Sequence, residues 1–147
     1  MSTRGTFGFH ENGKDELYYN HWDSYPDGLG AAFIDYLKEK DSKDSNWIEE
    51  IMENPKSRND DFICDSLFCE YGYIMNYDTN ELEVYTGFQR KPPEGRYHDC
   101  GLSNRDPDYY ACGLVTAISM DTINHYSTKE LVDFIVEEIA ERDKEDD

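Results

Sequence analysis

The sequence predicts an α+β domain: an antiparallel sheet of about five strands, two hairpins plus one strand, packed with two or three helices. Three observations carry this expectation. Alternating residues flank an Asn-Gly turn near the N-terminus, a second Tyr- and Val-rich pair flanks Asp78-Thr79-Asn80, and apolar residues recur at helical spacing after Gly28 and after Ser127.

Thr3 to His10 alternates around Phe7 and Phe9, Glu11 to Lys14 holds the Asn-Gly turn, and Leu17 to His21 resumes an extended pattern, which makes the first hairpin. Pro26-Asp27-Gly28 turns the chain. Leu29 to Lys40 then places Leu29, Phe33, Ile34, Tyr36 and Leu37 on one side of a first helix. Asn46 and Glu49 have capping-box spacing ahead of Ile51 and Met52, with Pro55 as the stop, so a second, shorter helix is expected there. Phe68 to Asn76 and Leu82 to Phe88 form the second hairpin. Lys91 to Asp108, with three prolines and two glycines, reads as a long loop. Leu114 to Ser119 is a β-branched run suited to a buried strand. Ser127 and Glu130 cap the last helix, whose apolar stripe is Leu131, Phe134, Ile135 and Ile139.

A chain of 147 residues buries enough surface for one domain, placed at 1–142 with an acidic tail at 143–147. Aromatics at 14% predict a ring-rich core with many half-exposed phenols. The formal charge of −19 repels nucleic acid and anionic membranes, so direct DNA binding and membrane association are not expected, and a basic protein surface is the natural partner. No apolar run has the length of a membrane span or a signal peptide, which predicts a cytoplasmic chain with its four cysteines reduced.

Several constellations carry possible chemistry. Between Glu130 and Asp147 nine acidic residues face two basic ones, and Glu130, Asp133, Glu137 and Glu141 share one helix face. Carboxylates four residues apart lie ~6 Å apart along a helix axis, a spacing of the order of successive phosphates, so the face can imitate nucleic acid. The plainer alternative is a solvated helix face with a frayed tail. The dense segment Tyr18 to Gly30 combines Asn20, His21, Trp22, Asp23 and Tyr25 with Gly28 and Gly30. Free amides at Gly28-Leu29-Gly30 would suit a phosphate or carboxylate, with Arg4 or Arg96 assisting, whereas a turn closed by Asp27 explains the same residues without a ligand. Cys64, Cys69, His98, Cys100 and Cys112 offer zinc-type ligands. They lack paired Cys-x-x-Cys knuckles, so no metal or other cofactor is expected. Ser2, as an N-terminal residue with Thr3, His21 and Asp23 nearby, would suit a small hydrolase resembling N-terminal-nucleophile amidohydrolases in its first residues only, and a Ser24-His21-Asp23 triad lies too close in sequence for the required geometry. Asp78 to Glu81 and Asp106 to Asp108 fall short of a calcium loop and read as turns.

Ser2-Thr-Arg-Gly5, Tyr19 to Pro26 with Gly28-Leu-Gly30, and Leu82 to Gln89 together resemble small phage and prophage proteins of uncharacterised function, over the first third of the chain and the second hairpin. The resemblance implies a setting in a host cytoplasm, where small acidic phage proteins often inhibit defence. It predicts a non-catalytic acidic protein that inhibits a basic host target such as a nuclease-based defence complex, with Trp22, Tyr25, Tyr109 and Tyr110 as anchors beside the acidic helix. A sponge for a small nucleotide, built from Trp22 to Gly30 and Lys91 to Arg105, and the hydrolase are the alternatives. Exposed tyrosines make a homodimer compatible with either.

Overall fold

The structure, a computed structural model, describes residues 3–39, 43–100 and 109–145. It is an α+β fold built on an open five-stranded sheet: β1 (Gly5–Glu11), β2 (Lys14–Asn20), β3 (Tyr71–Asn76), β4 (Glu81–Thr86) and β5 (Gly113–Ser119), in the order β2-β1-β3-β4-β5. The first hairpin turns at Asn12 and Gly13, whose φ values of 53° and 75° supply the left-handed pair that a two-residue turn of this hand needs. Asn80, φ 59°, does the same service before β4.

The sheet is mixed rather than wholly antiparallel. β1 and β3 pair in parallel, Phe7 beside Tyr73 and Phe9 beside Met75, while the other three pairings are antiparallel. A parallel pair needs a crossover, and the chain makes it through β2 and two helices.

Those helices are α1 (Ala31–Leu37) and α2 (Lys43–Glu53); α3 (Met120–His125) and α4 (Thr128–Glu145) follow β5. Four α-helices are thus described where two or three were expected. α1 starts later than expected because Pro26 to Gly30 forms a π-helical turn. α2 begins at Lys43, so Asn46 and Glu49 lie inside it and form no capping box. α4 runs on through Glu145, which makes residues 143–145 helix rather than tail, while 146–147 lie outside the described residues.

Strand alternation gives the sheet two apolar faces. Phe7, Tyr73, Met75, Leu82 and Val84 pack under α1, α2 and α4 against Phe33, Ile34, Ile48, Leu131 and Ile135. Leu17, Ile74 and Tyr85 point the other way, into a second cluster with Ile63 from a short 3-10 helix (Phe62–Cys64) and Cys69, Tyr97 and Cys112 from irregular chain. Each fully buried Phe, Leu or Ile contributes about 1.5–3 kcal/mol, so both faces hold the sheet. In the helical layer α1 packs between α2 and α4, and α4 lies over β5.

Candidate functional site

The last helix is set by its first turn. The Glu130 N–H donates to Ser127 Oγ (3.1 Å), and the Ser127 N–H donates to Glu130 Oε1 (3.2 Å), the reciprocal capping box expected from the sequence. The Ser127 backbone and hydroxyl donors hold the Glu130 carboxyl below the usual carboxylate range. With the start fixed, Leu131, Val132 and Ile135 face the sheet and Ile139 is partly covered. Glu130, Asp133, Glu137 and Glu141 are all exposed on the opposite side. Phe134 joins that solvent side rather than the buried stripe, whereas Val132 on the other flank is buried.

Most described arginines are engaged away from this face. Arg58 pairs with Asp60 (2.7 Å) and Arg96 with Glu83 (2.5 Å), and the Arg142 guanidinium donates to the Leu114 carbonyl. On the α4 face Lys144 approaches Glu141 at 3.8 Å, while Asp133 and Glu137 have no ion pair among the described residues. The face therefore carries net negative charge.

The C-terminal part of α4 borders a cleft. It has a volume of about 400 Å³ and is lined by Glu70, Tyr71, Phe88, Gln89, Ile139 and Asp143 among others. This is the sheet end where β2 and β4 finish and β1, β3 and β5 begin, and exposed rings gather there. Trp22 is 65% exposed and Phe88 58%, with Tyr25 and Phe68 close to half. Tyr25 packs on Tyr71 with centroids 5.7 Å apart, and Arg4 lies over Phe68 at 5.7 Å. Tyr110 is brought to the same end by its N–H bond to the Gln89 carbonyl (2.8 Å), and Tyr109 by its Arg90 contact (2.9 Å). Phe68 and Phe88 lie outside β3 and β4, although their sequence places them at strand ends. Gly87 was the available signal, since a Cβ there would collide with the Cys69 carbonyl and the strand must end before it.

The Tyr18 to Gly30 segment is a self-bonded corner. Asn20 is buried and donates to Ser24 Oγ (2.9 Å) and to the Trp22 carbonyl. The Gly28, Leu29 and Gly30 amides donate to carbonyls of Tyr25, Asp23 and Tyr25, so the donors imagined for an anion are used within the turn. Gly28 sits so close to the Asp23 carbonyl and carboxyl that no Cβ fits, and a Cβ on Gly30 would stand 3.1 Å from the Tyr73 ring. Asp27 makes no side-chain cap. His21 Nδ1 meets Tyr19 Oη at 2.7 Å, and Ser24 bonds Asn20 rather than His21. Thr3 is buried, while Ser2 lies outside the described residues.

Arg96 is not part of this corner. It lies on the loop-covered face of the sheet, where Glu83 accepts its guanidinium and Tyr97 Oη donates to Asp15 Oδ2 (2.7 Å). His10 joins with Asp15 at 2.7 Å and Asp78 at 3.3 Å. Burial disfavours the Arg96 charge, yet the Glu83 bonds outweigh it and raise the guanidinium above its ordinary value. Burial and the Asp15 bond likewise push the Tyr97 phenol up. The group is a salt-bridged brace holding the loop onto β4 and the first hairpin.

The cysteines divide in two. Cys64 and Cys100 form a disulfide, Cα–Cα 5.6 Å, which corrects the expectation of four reduced thiols, and Cys69 and Cys112 are free and buried. Burial holds the Cys69 thiol well above its ordinary value. His98 turns to Asp99 at 3.2 Å. Among the described residues no group of three or more His, Cys, Asp or Glu is arranged to hold a metal ion. Asp78 accepts the Asn12 and Gly13 amides (2.8 and 3.0 Å) as a turn residue does, while Arg105, Asp106 and Asp108 lie outside the described residues. No described helix is long and apolar enough to cross a membrane.

Compared with known proteins, the chain matches no family model, no curated protein and no solved structure.

Proposed function

We propose that this is a non-catalytic binding protein that engages a basic macromolecular partner through the solvent face of α4. The observation that carries the reading is the exposure of Glu130, Asp133, Glu137 and Glu141 on one face while most described arginines are engaged elsewhere. Their axial spacing of ~4.5–6 Å is of the order of phosphates along a strand. A Lys- or Arg-rich nucleic-acid-binding surface matches that array in sign. In the setting implied by the phage resemblance, such a partner is a host defence factor of the nuclease type, and occupancy of its nucleic-acid surface is the inhibitory act.

Charge of this kind steers encounter, and ring contacts then slow dissociation. The aromatic end adjoins the C-terminal turns of α4, because Ile139 and Asp143 line the same cleft as Tyr71 and Phe88. Trp22, Tyr25, Tyr109 and Tyr110 are the proposed anchors, with Phe68 and Phe88 added to them. Glu70 and Asp143 on the cleft wall favour a cationic group there over a nucleotide phosphate.

Affinity capture from a host lysate tests the reading. Wild-type bait is expected to retain a basic, nucleic-acid-binding protein at low salt and release it at moderate salt. Retention that ignores salt and survives Glu137→Lys/Glu141→Lys contradicts the proposal.

A further inference from the structure

The two edges of the sheet are finished differently. On the β2 edge the Leu17 N–H donates to Asp60 Oδ1 (2.9 Å), the Leu17 carbonyl accepts the Asn59 N–H (3.0 Å), and Tyr18 bridges to Arg58. Lys14, Asp15 and Glu16 add charge to that strand. Both devices block a further strand.

β5, on the other edge, has the sequence Gly-Leu-Val-Thr-Ala-Ile-Ser, without a charge or a proline, in a chain that is 32% charged. Its phase is fixed at one end by the Met120 N–H, which bonds the Asn80 carbonyl at 3.0 Å. Residues two and four back, Ile118 and Thr116, therefore face their partners Leu82 and Val84 in β4. Ala117 turns both its N–H and its C=O off the edge, and Ser119 turns out its N–H. Among the described residues nothing bonds these groups, and Ala117 is exposed. The Leu114 end is closed by the Glu94 carbonyl and Arg142.

We propose that the β5 edge accepts an extended basic segment of the partner by strand addition, drawn there by the chain's formal charge of −19. The inference rests on the proposed engagement of a basic partner by α4 and gives that partner a shape. α4 packs on β5 and runs antiparallel to it, since Arg142 near its C-terminal end reaches Leu114 at the start of the strand. An added strand therefore lies alongside α4. A Lys- or Arg-rich segment thus meets a chain of formal charge −19, while its backbone completes the ladder at Ala117. A second copy of this chain suits the edge poorly, because each copy brings a charge of −19.

The test compares two synthetic peptides of equal charge, one alternating Lys and Val and one with N-methylated amides on the pairing side, binding to the full chain at fixed salt. The alternating peptide is expected to bind at least about tenfold more tightly, a difference of about 1.4 kcal/mol. Ala117→Pro should abolish that advantage; it removes an N–H that no β4 partner uses, so the ladder is retained. Equal affinity of the two peptides overturns strand addition, and if both still weaken in Glu137→Lys/Glu141→Lys the acidic-face reading survives alone. Dimerisation through β5 that the alternating peptide fails to displace also overturns it.

Discussion

The Tyr73 hydroxyl donates to the main-chain carbonyl of Ser24 across 2.9 Å, fastening the middle of the sheet to the corner that follows β2. The ring is fully buried and lies against Gly30, so one side chain fixes both the start of the first helical layer and the exposed Trp22–Tyr25 turn. Tyr73→Phe retains the ring and deletes only the donor. The expected cost is about 1–2 kcal/mol, because a buried carbonyl is left without its partner, read as a lower urea midpoint at unchanged slope. An unchanged midpoint would mean that water or another donor serves Ser24 equally well.

Asp60 makes stability depend on pH. The Arg58 hydrogen bonds hold its carboxyl below the ordinary value; partial burial opposes them, and the Leu17 N–H adds to them. A carboxyl lowered by folding stabilises fully above its unfolded pKa of about 3.9, and that contribution is lost as pH falls through the folded value. The stability gap between wild type and Asp60→Asn should therefore be largest near neutrality and narrow as pH falls below the unfolded value and through the lowered folded one. A gap that stays constant from neutrality through acid pH contradicts the role given to Asp60.

The Cys64–Cys100 bond ties the turn after α2 to the irregular chain covering the second core. Closing a separation of 36 residues restricts the unfolded chain by about 3–4 kcal/mol. Alkylation of the denatured, unreduced protein should mark Cys69 and Cys112 only, and Cys64→Ser/Cys100→Ser should lower the denaturation midpoint. Labelling of all four thiols contradicts the bond.

Local chemistry wrote itself plainly into the sequence. Asn12-Gly13 announces a turn that needs left-handed residues, and Ser127 with Glu130 announces a helix start; both are observed because each signal acts within a few residues. The acidic stripe was legible for the same reason, as helical spacing alone puts Glu130, Asp133, Glu137 and Glu141 on one side. What was not legible depends on distant chain. The parallel pairing of β1 with β3 joins segments about 65 residues apart without a local signature. Asn46 and Glu49 imitate a cap inside a helix that starts earlier, and Phe134, on one flank of the apolar stripe, is left to solvent while Val132, on the other flank, is buried. Cysteine pairing has the same long-range character. The aromatic end is assembled from residues near 4, 22, 68, 88 and 110, which only the finished sheet brings together.

The acidic face of α4 is the central claim, and location rather than total charge is what distinguishes it. Glu137→Lys/Glu141→Lys and Glu49→Lys/Glu53→Lys change the formal charge equally, the second pair being exposed on α2. The decisive measurement is the association rate of each variant with the captured basic partner, at low salt and at about 0.15 M where screening sets in over ~8 Å. The account predicts that reversal on α4 slows association about tenfold or more at low salt, a loss that shrinks as salt rises, while reversal on α2 has a much smaller effect. Equal slowing by the two variants would show that the partner senses only net charge, and would contradict the assignment of the site to α4.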